Sequence, residues 1–163
     1  MRNPGIHPVF SCLLLATNIF LFSDCAQKSD PLGPEGPSEV FSFTLNGSSI
    51  SYSGCCSGYY DSTQDHTVVW GAPALLAPDV VYFVVPGNLS GTYINGMGVT
   101  YIGHSKNTNE YSSDLGDAFI DLQSYGDAGS RIEGTFHGNL QDPATGLVES
   151  VTNGIFSVIR EDR

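Results

Sequence analysis

The chain has 163 residues, of which 17 are acidic and 6 are basic, so its formal net charge is −11 at pH 7. This negative excess repels phosphate backbones, and the few lysines and arginines are scattered along the chain, so nucleic acid is not expected as a partner. Charged residues make up only 14% of the chain while glycine occurs 19 times, a balance that favours short strands and tight turns over long surface helices.

An apolar segment, residues 9–22, follows a basic start at Arg2. Its length of about fourteen residues is below the ~20 that a helix needs to cross the hydrocarbon layer, and it matches the apolar region of a secretory signal peptide. We therefore predict that residues 1–24 are a signal peptide that is removed on export.

The segment Phe22-Ser23-Asp24-Cys25 resembles the lipobox of bacterial lipoprotein precursors; Ser23 fits that pattern, whereas Phe22 and Asp24 depart from it. The resemblance implies that Cys25 carries fatty acyl chains such as palmitate. It also implies a lipid-anchored protein of the bacterial cell envelope, in the outer membrane on its periplasmic or surface face. Because each buried CH₂ contributes ~0.8 kcal/mol, the two or three chains of a lipoprotein cysteine anchor it stably. The alternative is cleavage after Ala26 by an ordinary signal peptidase, which gives a secreted protein.

Residues 25–38 form the predicted lipid anchor and tether. They include Pro31, Pro34 and Pro37 and contain no aromatic side chain. Proline-rich chain extends ~3.1 Å per residue, so this stretch can hold a folded part up to about 40 Å from its anchor. The remaining residues, 39–163, have the length of a single domain with its own core.

The first part of this domain contains four strand-like stretches. Residues 40–45 and 50–52 alternate around Asn46-Gly47, the favoured pair for a two-residue hairpin turn. Residues 67–70 and 80–85 are apolar without alternation, as expected for interior strands. These stretches predict one hairpin followed by two interior strands.

A second hairpin is predicted farther along the chain. Residues 92–94 and 99–102 flank Asn95-Gly96, across which we expect them to pair. Residues 105–109 are polar and are expected to form an exposed loop.

The C-terminal third shows the clearest alternation. Ala118, Ile120 and Leu122 share one face of a strand, and the turn at 126–129 reverses the chain. The inward positions of the next strand are Ile132, Gly134, Phe136, Gly138 and Leu140. A turn at 142–146 leads to a final segment interrupted by a turn or bulge at Asn153-Gly154.

These elements define the predicted fold class. About eight or nine short, evenly spaced strands without helices indicate an all-β domain, built as an antiparallel β-sandwich or a barrel. We favour the sandwich.

Three segments resemble a family of small bacterial lipoprotein domains of unknown function, often found near polysaccharide-uptake or cell-surface proteins. They are residues 91–93, 132–142 and 151–158, the last two of which carry a GTF-x-G-x-L-x-DP run and a VTNG-x-F-x-V run. The resemblance implies a β-sandwich on a lipid anchor. It supplies no active site, because the matching residues belong to strands and turns.

Cys55-Cys56 is the most unusual dipeptide in the chain. Thiols of exported proteins usually pair, and lipidation of Cys25 leaves these two only each other. Adjacent Cα atoms lie 3.8 Å apart, below the usual disulfide range of ~4.4–6.8 Å, so a vicinal disulfide needs a turn, which Gly54 and Gly58 permit. We hypothesise such a disulfide; the alternative is two unpaired, partly buried cysteines.

Aromatic residues beside a polar loop suggest a glycan-binding surface. Tyr59 and Tyr60 precede Asp61-Ser62-Thr63, and Tyr111 is a further candidate for stacking on sugar rings. Trp70 is set aside because it lies in a core-like strand. The alternative interpretation is that these tyrosines pack in the core.

Catalytic and metal-binding patterns are weak. The C-x₂₋₄-C spacing of zinc sites is absent. Asp114, Asp117 and Asp121 lack the spacing of a calcium loop, and residues 103–107, around His104, lack the second glycine of a serine-hydrolase elbow. We therefore predict no cofactor, no metal and no enzymatic activity.

The sequence thus predicts an envelope lipoprotein with a non-catalytic binding or structural accessory role. The alternative function is a carbohydrate-binding module that presents glycan at the cell surface. Another envelope protein, paired through an exposed strand edge, is a further possible partner.

Overall fold

A computed structural model describes residues 39–74, 77–95 and 100–161. The predicted signal peptide, Cys25 and the tether lie outside these described residues. No helix in the described ranges is long and apolar enough to cross a membrane.

The described residues form ten strands and no helix, which confirms the all-β prediction. The strands are β1 (Val40–Leu45), β2 (Ser48–Tyr52), β3 (Cys56–Asp61), β4 (His66–Gly71), β5 (Asp79–Pro86), β6 (Gly91–Ile94), β7 (Tyr101–Lys106), β8 (Asn109–Tyr125), β9 (Arg131–Gln141) and β10 (Val148–Glu161). The number exceeds the predicted eight or nine because the sequence analysis missed β3.

Hydrogen-bonded pairing connects all ten strands into one sheet. Strands β3, β4, β5, β7, β8, β9 and β10 form a closed ring of neighbours, while β2 and β1 extend from β10 and β6 extends from β8. Every pairing is antiparallel except the short parallel contact of Arg160 and Glu161 with β3. Division into the two separate sheets of a sandwich is not confirmed, because the pairing is continuous.

Two long strands make the ring possible. One edge of β10 pairs with β9 from Val148 to Ile159, and its other edge pairs first with β1 and then with β3. Strand β8 likewise pairs with β9 on one edge and with β7 and β6 on the other. Each long strand therefore pairs with three other strands and connects different parts of the sheet.

The core inside the ring is centred on phenylalanine rings from four strands. Phe41, Phe83, Phe136 and Phe156 are buried, and the Phe83–Phe156 and Phe41–Phe136 ring centroids lie 4.8 and 5.1 Å apart. Tilted aromatic pairs at such distances are favourable beyond their buried area, by ~0.5–1.5 kcal/mol each. This aromatic centre joins β1, β5, β9 and β10.

Several sequence predictions hold in detail. The β1–β2 hairpin turns at Asn46 (φ 49°) and Gly47 (φ 84°), the positive angles that a type I′ turn requires. Ala118, Ile120 and Leu122 are buried, as are the five predicted inward positions of β9. The bulge at Asn153, with φ 52° and a register shift before Gly154, is also confirmed.

Two predictions about the middle of the chain are wrong. Strand β6 pairs with β8 rather than with β7, whose partners are β5 and β8, so the second hairpin does not form. Residues 105–109 are not a loop, because β7 continues to Lys106 and a tight turn with Asn107 at φ 57° leads directly into β8. Pairing with a strand distant in sequence determines the position of β6, whereas residues 105–109 belong to a local hairpin between β7 and β8.

A substitution at Gly134 tests the close packing of β9 against β8. A Cβ at this position would overlap the carbonyl oxygen of Asp121 and would lie 2.8 Å from the Phe156 ring. We expect Gly134→Ala to lower the free energy of unfolding by about 1–3 kcal/mol, although alanine normally stabilises a strand relative to glycine. Thr135→Ala is the control, with an expected change within about 0.5 kcal/mol. Urea unfolding measures both, and a Gly134→Ala protein as stable as the wild type would contradict this packing.

Candidate functional site

A buried imidazole held between two carboxylates is the most distinctive polar feature of the described structure. The His104 side chain is fully buried; its Nδ1 lies 2.5 Å from Glu149 Oε2 and its Nε2 lies 2.9 Å from Asp79 Oδ1. The Tyr52 hydroxyl donates a hydrogen bond to Asp79 Oδ1 over 3.3 Å. We call Tyr52, Asp79, His104 and Glu149 the buried network.

Strand alternation places these side chains inside the ring. His104 follows buried Ile102 by two positions on β7, and Glu149 precedes buried Val151 by two on β10, so both point inward. Asp79 begins β5, and Tyr52 ends β2. The network thus joins strands that lie far apart along the chain.

An aromatic ring covers one side of the imidazole. Tyr111, directly opposite His104 in the β7–β8 ladder, is buried and stacks on it with ring centroids 5.9 Å apart and an interplanar angle of 25°. At the other end of the network the Asp79 side chain keeps 35% of its surface exposed. Asp79 is therefore the member that connects the network to solvent.

The hydrogen-bond pattern fixes a minimum number of protons. A neutral imidazole has one N–H and an ionised carboxylate only accepts, so two imidazole–carboxylate contacts require either an imidazolium or one protonated carboxyl group. Burial, followed by the nearby Asp79 charge, raises the pKa of Tyr52 well above its ordinary value. The phenol therefore stays protonated and donates to Asp79.

This geometry suits a structural role, in which hydrogen bonds hold separate strands together, better than catalysis. A general base must be able to reach a substrate proton, but both His104 nitrogens already face carboxylates and the ring is enclosed. Buried charged groups with complete hydrogen bonding specify one arrangement of the strands that supply them.

From the sequence, His104 was weighed as part of a poor hydrolase motif and was not predicted to belong to a site. The available signal was a polar residue at an inward position of an alternating strand, and both His104 and Glu149 occupy such positions. Without that alternation, nothing in the sequence marks His104 or Glu149 as part of a buried polar network.

Cys55 and Cys56 are both buried and the structure places no bond between their sulfur atoms, which favours the alternative of two unpaired cysteines; the vicinal disulfide stays a hypothesis. The Cys55 carbonyl accepts a hydrogen bond from the Ala72 amide over 2.9 Å, extending the β3–β4 ladder that Cys56 begins. Cys55 lies in the bend that precedes β3, next to Gly54 at φ 81°, and Cys56 is the first residue of the strand. Burial, with a smaller contribution from Glu39, raises the pKa of Cys56 to about 12, so its reactive thiolate is disfavoured.

The three predicted glycan-contact tyrosines are not brought together. Tyr59 and Tyr111 are buried, Tyr111 within the main core. Tyr60 lies on the opposite face of β3 from Tyr59, and its hydroxyl donates to Asp65 Oδ1 over 2.7 Å. These three tyrosines therefore do not form a shared stacking surface.

A different aromatic residue faces outward. Ile94, Phe119 and His137 are successive cross-strand neighbours on β6, β8 and β9, and we call them the outer ladder. The Phe119 and His137 rings stack with centroids 4.7 Å apart and an interplanar angle of 19°, and Ile94 is 48% exposed. A shallow groove beside His137 continues to the β10 bulge, where it is lined by Thr152, Asn153 and Ile155 among others.

Polar groups lie next to this ladder. Asp121 Oδ1 accepts a hydrogen bond from the Thr92 hydroxyl over 3.0 Å, and Gln123 Nε2 donates to Asp121 Oδ2 over 3.4 Å. The predicted core face at Ala118, Ile120 and Leu122 already implied that Phe119 points outward. An aromatic residue on the outer face could therefore be predicted from the sequence.

Within residues 39–74, 77–95 and 100–161, no group of three or more His, Cys, Asp or Glu side chains is arranged to hold a metal ion. In the buried network the carboxylates contact opposite nitrogens of His104, so the three groups do not converge on one point. No protein family, curated protein or solved structure matches the chain.

His104→Leu tests the buried network. Without the imidazole, Asp79 and Glu149 lose their common partner, and we expect the free energy of unfolding to fall by about 3–5 kcal/mol. His137→Leu, at an exposed position, is the matched control with an expected change within about 0.5 kcal/mol. Chemical denaturation followed by circular dichroism measures both. Equal stability of His104→Leu and wild type would show that the network does not hold the fold.

The redox state of the adjacent cysteines is tested by mass. We expect no reaction of Cys55 and Cys56 with iodoacetamide in the folded protein, because both are buried and the Cys56 pKa is high. After unfolding without reductant, two alkyl groups should add. An unfolded protein that takes up none, and whose mass is lower by two hydrogens, would instead establish the disulfide.

Proposed function

We propose that the protein is a lipid-anchored envelope protein with a non-catalytic binding or structural accessory role. One observation carries this proposal: the apolar segment at residues 9–22 follows Arg2 and leads directly to Cys25. In this proposal residues 1–24 are removed and the acylated Cys25 becomes the first residue of the mature protein.

The site geometry supports a non-catalytic role. His104, the acid–base group with the most developed surroundings, is enclosed and uses both ring nitrogens within the fold. The proline-rich stretch after Cys25 supports a domain held away from its membrane, because such chain is extended and semi-rigid. We place the anchor in the outer membrane, and secretion without an anchor is the alternative.

Cys25→Ala is the decisive variant, and Cys12→Ala, inside the predicted signal peptide, is its matched control. Cells fed radiolabelled palmitate should label the wild type and Cys12→Ala, whereas Cys25→Ala should carry no label. The membrane fraction should lose Cys25→Ala in parallel, because two or three acyl chains provide the anchoring.

The opposite result has a clear form. An unlabelled wild-type protein whose N-terminus begins after Ala26, and which washes off membranes freely, would replace the anchor with ordinary secretion.

A second candidate function is carbohydrate binding. The outer ladder favours it, since the half-buried Phe119 ring and the exposed His137 ring, beside hydroxyl, amide and carboxylate groups, suit the apolar faces and hydroxyl edges of sugars. This surface replaces the tyrosines that the sequence suggested.

A further inference from the structure

We propose that the outer ladder, together with Thr92, Asp121 and Gln123, binds a neutral polysaccharide. The proposal rests on the binding role proposed above, and it specifies both the ligand class and the surface. It does not depend on the lipid anchor.

The apolar part of the surface is a strip across three strands. Ile94 lies opposite Phe119, and Phe119 lies opposite His137. Neighbouring strands are ~4.8 Å apart, so the strip extends about 10 Å and exceeds the width of one pyranose ring. A saccharide chain can therefore place more than one ring along it.

The polar part runs parallel to this strip, two residues away along each strand and on the same face. Thr92 on β6 lies opposite Asp121 on β8, which lies opposite Thr135 on β9. The apolar side chain of Ile155 on β10 lies next to Thr135 at the end of this row. The Asp121 carboxylate already accepts from Thr92 and Gln123. A carboxylate has about four acceptor positions, so it can accept further hydrogen bonds from sugar hydroxyls.

Charge selects among the polysaccharides. The chain carries a net charge of −11, and Asp121 lies directly beside the strip. Acidic polysaccharides are repelled by such a surface, whereas neutral ones supply the hydroxyl donors that a carboxylate needs. This charge, together with the hydroxyl and amide groups around Asp121, favours a neutral ligand.

The experiment is affinity electrophoresis of the full mature protein, solubilised from membranes in detergent. Gels contain dextran, mannan, xyloglucan or laminarin, and a parallel gel contains alginate as the acidic polysaccharide. We expect retardation by at least one neutral polysaccharide and none by alginate. Phe119→Ala should raise the Kd about tenfold or more, and Asp121→Asn should raise it severalfold.

Leu147→Ala is the control, because Leu147 is an equally apolar side chain, 59% exposed, in the turn before β10. Its Kd should stay within about twofold of wild type. Thermal unfolding checks every variant, and His137→Ala, at an exposed position, serves if Phe119→Ala fails to fold.

Three outcomes overturn the proposal: no retardation by any neutral polysaccharide, stronger retardation by alginate, or equal weakening by Phe119→Ala and Leu147→Ala. Palmitate labelling separates this failure from that of the anchor. A labelled protein that binds no polysaccharide leaves the lipoprotein proposal standing, whereas an unlabelled protein that binds one leaves the glycan surface standing.

Discussion

The structure depends on the pairing of β10 along both of its edges. One edge pairs with β9, and the other pairs with β1 and then with β3, which closes the ring. The same strand supplies Phe156 to the aromatic core and Glu149 to the buried network. Strand β10 thus takes part in the backbone pairing, in the apolar core and in the buried network.

The buried network gives this closure a specific register. Glu149 reaches His104 only when β10 holds its place beside β9, since a slip of one residue would turn the carboxylate outward. The same slip would turn the buried Val151 outward, and a buried ion without its partner costs several kcal/mol more. The network therefore specifies which arrangement of the strands is adopted.

Local signals in the sequence were sufficient where neighbours in the chain also pair in space. Asn46-Gly47 predicted the first hairpin, and the alternation from Ile132 to Leu140 predicted β9 correctly. Pairing between distant strands was not predictable in this way, which is why β6 was assigned the wrong partner. Strand β3 was missed because Gly54 and Gly58 suggested a turn around Cys55-Cys56. Gly58 instead makes room for Ile132, whose Cδ1 would lie 2.8 Å from a Cβ at that position.

The candidate sites differed for a similar reason. Tyr59 and Tyr111 were proposed as surface residues from their neighbours in the chain, but burial is decided by strands that pack from elsewhere. His104, Asp79 and Glu149 come from three separate strands, and only the closed ring brings them within hydrogen-bond distance. Phe119 is the exception, because alternation alone places it on the outer face.

The pairing of β1 with β10 also bears on when the protein can acquire its shape. One edge of β1 pairs with the adjacent β2, but its other edge pairs with β10, where Val40 lies opposite Ser157. Contacts so distant in sequence form slowly. Because an isolated two-stranded hairpin is only marginally stable in water, β1 and β2 gain a lasting position only when the last strand of the chain is available to pair with them.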